Sequence, residues 1–175
     1  DLNESADIIL SGFGFNNSGG KSKLNHPVSV SSNGERLAVT DRFNNRILIW
    51  NSVPNKKTDP DIVIGQQNFT TQNHGSGLNQ LNFPGQVIIT PDNKMLVADS
   101  ENHRVLVWTT FPTVSGQSAD YAIPVTNYVD MGDSWPWGVW SNGEKTIITA
   151  TVAENVLLWN SFPGPSTPPD VVLYS

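Results

Sequence analysis

LAVTDRFNNRILIW, residues 37–50, returns as MLVADSENHRVLVW at 95–108 and, with its polar centre altered, as IITATVAENVLLW at 147–159. Each copy is an apolar run, a short polar turn and a second apolar run ending in Trp, the pattern of two strands joined by a tight loop. Working outward, Trp50, Trp108 and Trp159 are followed by NSVP, TTFP and NSFP. An Asp opens a further apolar run four times, at Asp7 (ADIIL), Asp61 (PDIVI), Asp120 (ADYAI) and Asp170 (PDVVL). Pro27, Pro84 and Pro136 precede VSV, GQVII and WGVW. A strand-rich repeat of roughly 50 residues reads as β-propeller blades rather than a helical solenoid.

One period supplies the four strands a blade needs. In the second unit they are expected at Gln86–Thr90, Met95–Ala98, Val105–Trp108 and Tyr121–Val125. Asn33-Gly34, Pro91-Asp92-Asn93 and Asn142-Gly143 supply the turn between first and second strands. The Trp residues are assigned to packing between blades, where burying such a ring stabilises by roughly 4–6 kcal/mol. The expected fold is all-β: three four-stranded antiparallel blades, at 27–65, 66–125 with its leading loop, and 126–175 with its leading loop, the last degenerate. Residues 1–26 are then the outer strand of a preceding blade plus a connecting loop.

The phrases Asp41-Arg42-Phe43-Asn44-Asn45-Arg46 and Asp99-Ser100-Glu101-Asn102-His103-Arg104 resemble the D-x-x-N-x-R signature of NHL repeats. Asp61-Ile62-Val63-Ile64-Gly65-Gln66, then Phe69, then Leu81-Asn82-Phe83-Pro84 is similar to the lead-in of bacterial exported NHL-repeat proteins. The third unit departs: Ala150, Ala153 and Asn155 stand where the Asp, Asn and Arg would be. The resemblance implies a ring of six blades and an extracytoplasmic or secreted protein.

Composition narrows the function classes. The 175 residues are 37% hydrophobic and 15% charged, a globular balance. Ten Lys+Arg against sixteen Asp+Glu leave a net charge of −6. The densest basic stretch is Lys56-Lys57, so no row of phosphates finds a matching patch, and nucleic acid is not an expected partner. There is no cysteine, which removes disulfides, thiolate metal sites and a Cys nucleophile. No apolar run reaches the roughly 18 residues of a membrane-spanning helix. The start at Asp1, without Met, points to removal of something upstream. The sequons Asn3-Glu4-Ser5, Asn16-Asn17-Ser18 and Asn68-Phe69-Thr70 arise readily in so Asn- and Ser-rich a chain.

Five residues apart across a tight loop, Asp41/Arg46 and Asp99/Arg104 are placed to pair across a hairpin. Packing is their first reading, and a place on the ligand-binding face of the inter-blade loops is the second. Those loops differ in length and content, as binding loops on a fixed scaffold do. They carry Phe15 with Phe13, Phe69 with His74, and Trp135 with Trp137 and Tyr128. Trp135-Pro136-Trp137 is the most aromatic stretch and suits a protein- or carbohydrate-binding platform, unless Trp135 replaces Phe83 and packs under its loop. His26, His74 and His103 are too scattered for a three-His metal site, no GxSxG elbow is present, and Gly12-Phe13-Gly14 lacks the third glycine of a dinucleotide fingerprint. Lone carboxylates such as Glu101, Asp130 and Asp133 read as solvated loop residues. The expected function is a noncatalytic ligand- or protein-binding scaffold without cofactor or metal. The alternative, implied only by the resemblance, is a metal-dependent lyase or lactonase-like propeller enzyme. Three blades do not close a ring, so self-association into a three-plus-three ring, or a longer parent chain, is expected as well.

Overall fold

A computed structural model describes residues 6–10, 19–129 and 134–174. It contains twelve strands in three four-stranded antiparallel sheets, each in simple chain order among the described residues. Sheet 1 is β1 (Pro27–Ser32), β2 (Leu37–Asp41), β3 (Arg46–Trp50) and β4 (Ile62–Ile64). Sheet 2 is β5 (Val87–Ile89), β6 (Met95–Asp99), β7 (Arg104–Trp108) and β8 (Tyr121–Pro124). Sheet 3 is β9 (Pro136–Ser141), β10 (Thr146–Ala150), β11 (Asn155–Trp159) and β12 (Val171–Tyr174). The strands expected for the second unit differ from those found by a residue or so at their ends. No described helix is long and apolar enough to cross a membrane.

Strand alternation explains how the sheets stack, because successive side chains point to opposite faces. In β3, Ile47 and Ile49 join Ala38, Ile62 and Ile64 against Val87, Ile89, Met95, Val97, Leu106 and Trp108 of sheet 2. The alternate residues of sheet 2, Leu96, Ala98, Val105, Val107 and Ile123, face Val139, Ile148, Ala150, Leu157 and Trp159 of sheet 3. The middle strands of sheet 2 are thus covered on both faces, which is why MLVAD and RVLVW are near-continuous apolar runs. Trp108 and Trp159 sit at the two junctions, each turned toward the preceding sheet. Trp50 turns the same way, into a cluster with Leu48 and Val63 against which Leu10, Leu24 and Phe69 pack.

Side chains in, or just before, the first strand of one sheet reach backbone amides of the next. Val87 N donates to Ser29 Oγ (3.3 Å), Ile89 N to Ser31 Oγ (2.9 Å) and Val139 N to Gln86 Oε1 (2.9 Å). These bonds satisfy amides on the side of β5 and β9 away from their own sheet partners.

Among the described residues no further sheet covers the far face of sheet 3. Register places Trp140, Ile147, Leu158 and Val171 in one row and Val156 opposite Leu173. Trp140 is 50% exposed and Leu173 53%. The corresponding rows of sheets 1 and 2 are the ones buried at the junctions.

Residues 6–10, within the stretch expected to supply the outer strand of a preceding blade, pair with no strand among the described residues. Leu10 packs on the outward face of sheet 1 much as Ile64 packs toward sheet 2, yet no third strand lies beside it among the described residues to complete a ladder. Position follows from the apolar pattern, whereas strand pairing needs a partner.

Candidate functional site

The D-x-x-N-x-R phrases build a clamp. Asp41 and Arg46 are register partners at the end of the β2–β3 hairpin, joined by a single 3-10 turn at Arg42–Asn44 and by Asn45 at φ +51°. Arg46 Nε donates to Asp41 Oδ2 (2.7 Å), and both side chains are fully buried. Asp41 also accepts from Asn25 N (2.5 Å) and Asn44 Nδ2 (2.8 Å). The remaining guanidinium nitrogens hold loop carbonyls: Nη1 that of Phe69, and Nη2 those of Gly20 and Lys23. Sheet 2 repeats the device. Asp99 accepts from Asn82 N, Asn102 Nδ2 and Arg104 Nε, and Arg104 donates to the carbonyls of Ser76, Gly77 and Gln80. Burial pushes the Asp99 carboxyl above the usual range, against the opposing pull of these donors. These four residues anchor the loops that lead into their own sheets, and Arg46 through Phe69 also holds the loop that runs on from β4 to sheet 2. In sheet 3, Ala150 faces Asn155 and no such pair exists.

A second cluster lies where the first strands of the three sheets begin. The rings of His26 and Phe43 stack with centroids 4.0 Å apart, and Phe43 meets Phe83 at 5.3 Å. The Arg42 guanidinium lies 5.6 Å from the Phe83 ring and 4.4 Å from that of Trp137, and its Nη1 donates to the Pro84 carbonyl. Arg42 is 9% exposed and makes no ion pair among the described residues; burial lowers its pKa, and the charge of Glu101 partly offsets that. Residues from all three sheets thus form one ladder. His26 (φ +53°) and Phe83 (φ +48°) hold left-handed backbone conformations immediately before prolines, a costly arrangement for side chains of this bulk. Strain of this kind gathers at ligand clamps and other working sites.

Beside Trp137 runs an open groove of about 430 Å³, lined by Val28, Ser29, Val30, Gly85, Gln86 and Trp137. It is the meeting of β1 and β5 with the start of β9. No protein-family model matches the chain, and no curated protein matches it either.

Of the residues singled out from sequence, Trp137 alone lies at this groove, 42% exposed. Trp135 is half-buried, and its carbonyl accepts from Thr151 N as that of His26 accepts from Arg42 N. It therefore occupies the position of His26 and, by the repeat, of Phe83. Phe69 packs on the Trp50 cluster under Lys21, and His74 is exposed in its loop. Phe15, Phe13, Asp130 and Asp133 lie outside the described residues. Among the described residues no group of three His, Asp or Glu side chains is placed to hold a metal ion. Ser29, Gln86 and Arg42 went unnoticed as site residues. The signal available for Ser29 and Gln86 was their shared place two residues after Pro27 and Pro84.

Proposed function

We propose that the three sheets are consecutive propeller blades of NHL-repeat type and that the chain is a noncatalytic binding scaffold whose ligand sits in the groove beside Trp137. Three simple four-stranded antiparallel sheets stacking in chain order through equivalent faces support the blade reading. The observation that carries the binding role is the groove itself. An exposed indole is fixed from behind by a buried guanidinium, next to a cleft whose volume falls in the ~300–1,000 Å³ span of small-ligand sites. Rigid aromatic anchors of this sort supply contact area at low entropic cost. The two buried Asp–Arg clamps hold the scaffold that presents it.

Protein-observed NMR with a chemically diverse fragment library tests this. Hits are expected to shift the Trp137 Nε1–H, Gln86 side-chain and Gly85 amide resonances together, and to disappear from that set in Trp137→Ala. A library that leaves those resonances unmoved, or whose hits cluster elsewhere on the molecule, overturns the assignment.

A further inference from the structure

We infer that the groove beside Trp137 takes a neutral pyranoside, laid with its apolar face on the indole; this rests on the binding role proposed above and specifies its ligand. Arg42 lies over the Trp137 ring at 4.4 Å and holds the indole as a platform with the rest of its surface open. The floor is mixed. Val28 and Val30, 48% and 66% exposed, offer apolar surface, and Ser29 and Gln86 offer polar groups.

The polar groups present donors. The Gln86 carbonyl oxygen already accepts from Val139 N, and Ser29 Oγ already accepts from Val87 N. Gln86 Nε2, the Ser29 hydroxyl proton and Trp137 Nε1–H donate to no group among the described residues. A wholly apolar occupant would cover these donors without acceptors and lose about five- to 150-fold in affinity for each one left unsatisfied. A charged occupant would find no counter-charge among the six lining residues, none of which is ionisable. Arg42, nine-tenths buried, stands behind the indole, and Glu101 stands near Arg42. The ligand that fits has one apolar face and a rim of oxygen acceptors without net charge. A pyranose ring has both, through its axial C–H face and its hydroxyl, ring and glycosidic oxygens.

The test titrates the whole chain with lactose, cellobiose, maltose and N,N′-diacetylchitobiose, and with a uronic-acid disaccharide as the charged comparison. Binding is read by calorimetry and by the Trp137 Nε1–H resonance. At least one neutral disaccharide is expected to bind at millimolar concentration and to displace that resonance, more tightly than the uronate. Two variants preserve the fold. Gln86→Glu keeps the oxygen that accepts from Val139 N and loses the free donor, so affinity falls about five- to tenfold, as for one lost hydrogen bond. Trp137→Phe keeps a ring against Arg42 with less area and no N–H, and weakens binding about tenfold or more. Trp140→Phe, on the far face of sheet 3, changes nothing. No response to any neutral disaccharide, preference for the uronate, or wild-type affinity in both groove variants overturns the inference. Fragments that still occupy the groove in that case leave the binding role standing and remove only the sugar.

Discussion

Replacing Arg46 by Met tests the clamp most directly, since the apolar stem is kept and the guanidinium removed. Arg46 is fully buried and makes four bonds: to Asp41 at 2.7 Å and to the carbonyls of Phe69 (2.7 Å), Gly20 (3.0 Å) and Lys23 (2.7 Å). In the variant Asp41 keeps Asn25 N and Asn44 Nδ2 but loses its counter-charge in a site without solvent access. Breaking a buried pair from one side costs about 3–5 kcal/mol, because the surviving charge stays desolvated. The loop carbonyls add less, since loops can open to water. Against a total stability of about 5–15 kcal/mol for a domain, the loss ranges from a fifth of the whole to all of it. Urea titration followed by Trp fluorescence should show a lower midpoint with an unchanged slope. Asp41→Asn in the same background removes the stranded charge, so the double variant should fall short of the sum of the singles by about 1–3 kcal/mol. Hydrogen exchange at Gly20 and Asn25 should quicken beyond the global change. An Arg46→Met cost below about 1 kcal/mol, or strict additivity with Asp41→Asn, would refute the clamp as a stabilising device.

Other expectations are simpler to state. Gly65 has φ +88°, and an added Cβ would meet Leu81 Cδ1 at 2.6 Å and the Asn45 carbonyl oxygen at 2.8 Å, whereas Gly34 (φ +89°) has nothing within 4 Å. Gly65→Ala should therefore cost well over about 2 kcal/mol and Gly34→Ala about 1 kcal/mol, and equal costs in thermal melts would contradict this. Since burial raises the Asp99 carboxyl, the folded chain holds that proton to higher pH than the unfolded one. Stability relative to Asp99→Asn is then greatest below the unfolded carboxylate range and declines as pH rises through the folded value; an advantage growing with pH would reverse the sign. The open row of sheet 3 uses the positions that bury a neighbouring sheet elsewhere in the chain, so the 19.1 kDa chain should pair with a second copy through that face. Light scattering should show association that Leu173→Lys weakens, and a monomer at every concentration would refute it.

The hairpins ending in Trp were legible because they recur, and a repeat turns one ambiguous apolar run into three consistent ones. The Asp41–Arg46 and Asp99–Arg104 pairs were legible from spacing, because the two residues close one tight loop. Their further bonds were not: Arg46 and Arg104 hold main-chain carbonyls, which every residue carries and no sequence distinguishes. Arg42 was hidden for a different reason. Its counterparts in the other two units are Ser100 and Thr151, so the repeat itself marks the position as variable. The groove arises where β1 and β5 come together from distant parts of the chain, and neither strand signals it alone. Ile8-Ile9-Leu10 matches Ile62-Val63-Ile64 in pattern, and that pattern fixes the apolar contact of Leu10 but not a ladder, which requires the strand next door.

The hydroxyls of Ser29 and Ser31 and the amide of Gln86 bear on how this molecule behaves in a crowded solution. A row of unanswered amides along a strand is a template on which a foreign chain can add and from which fibrils grow. Here Val87, Ile89 and Val139 already donate to a side chain of the neighbouring sheet, so β5 and β9 offer no such row. Short polar side chains do this without fusing the sheets into one continuous ladder, and each sheet keeps its own twist. Edge strands that also expose apolar side chains are β1, with Val28 and Val30, and β12, with Leu173 and Tyr174. Seeds of amyloid formed by a damaged copy should grow from those two edges first.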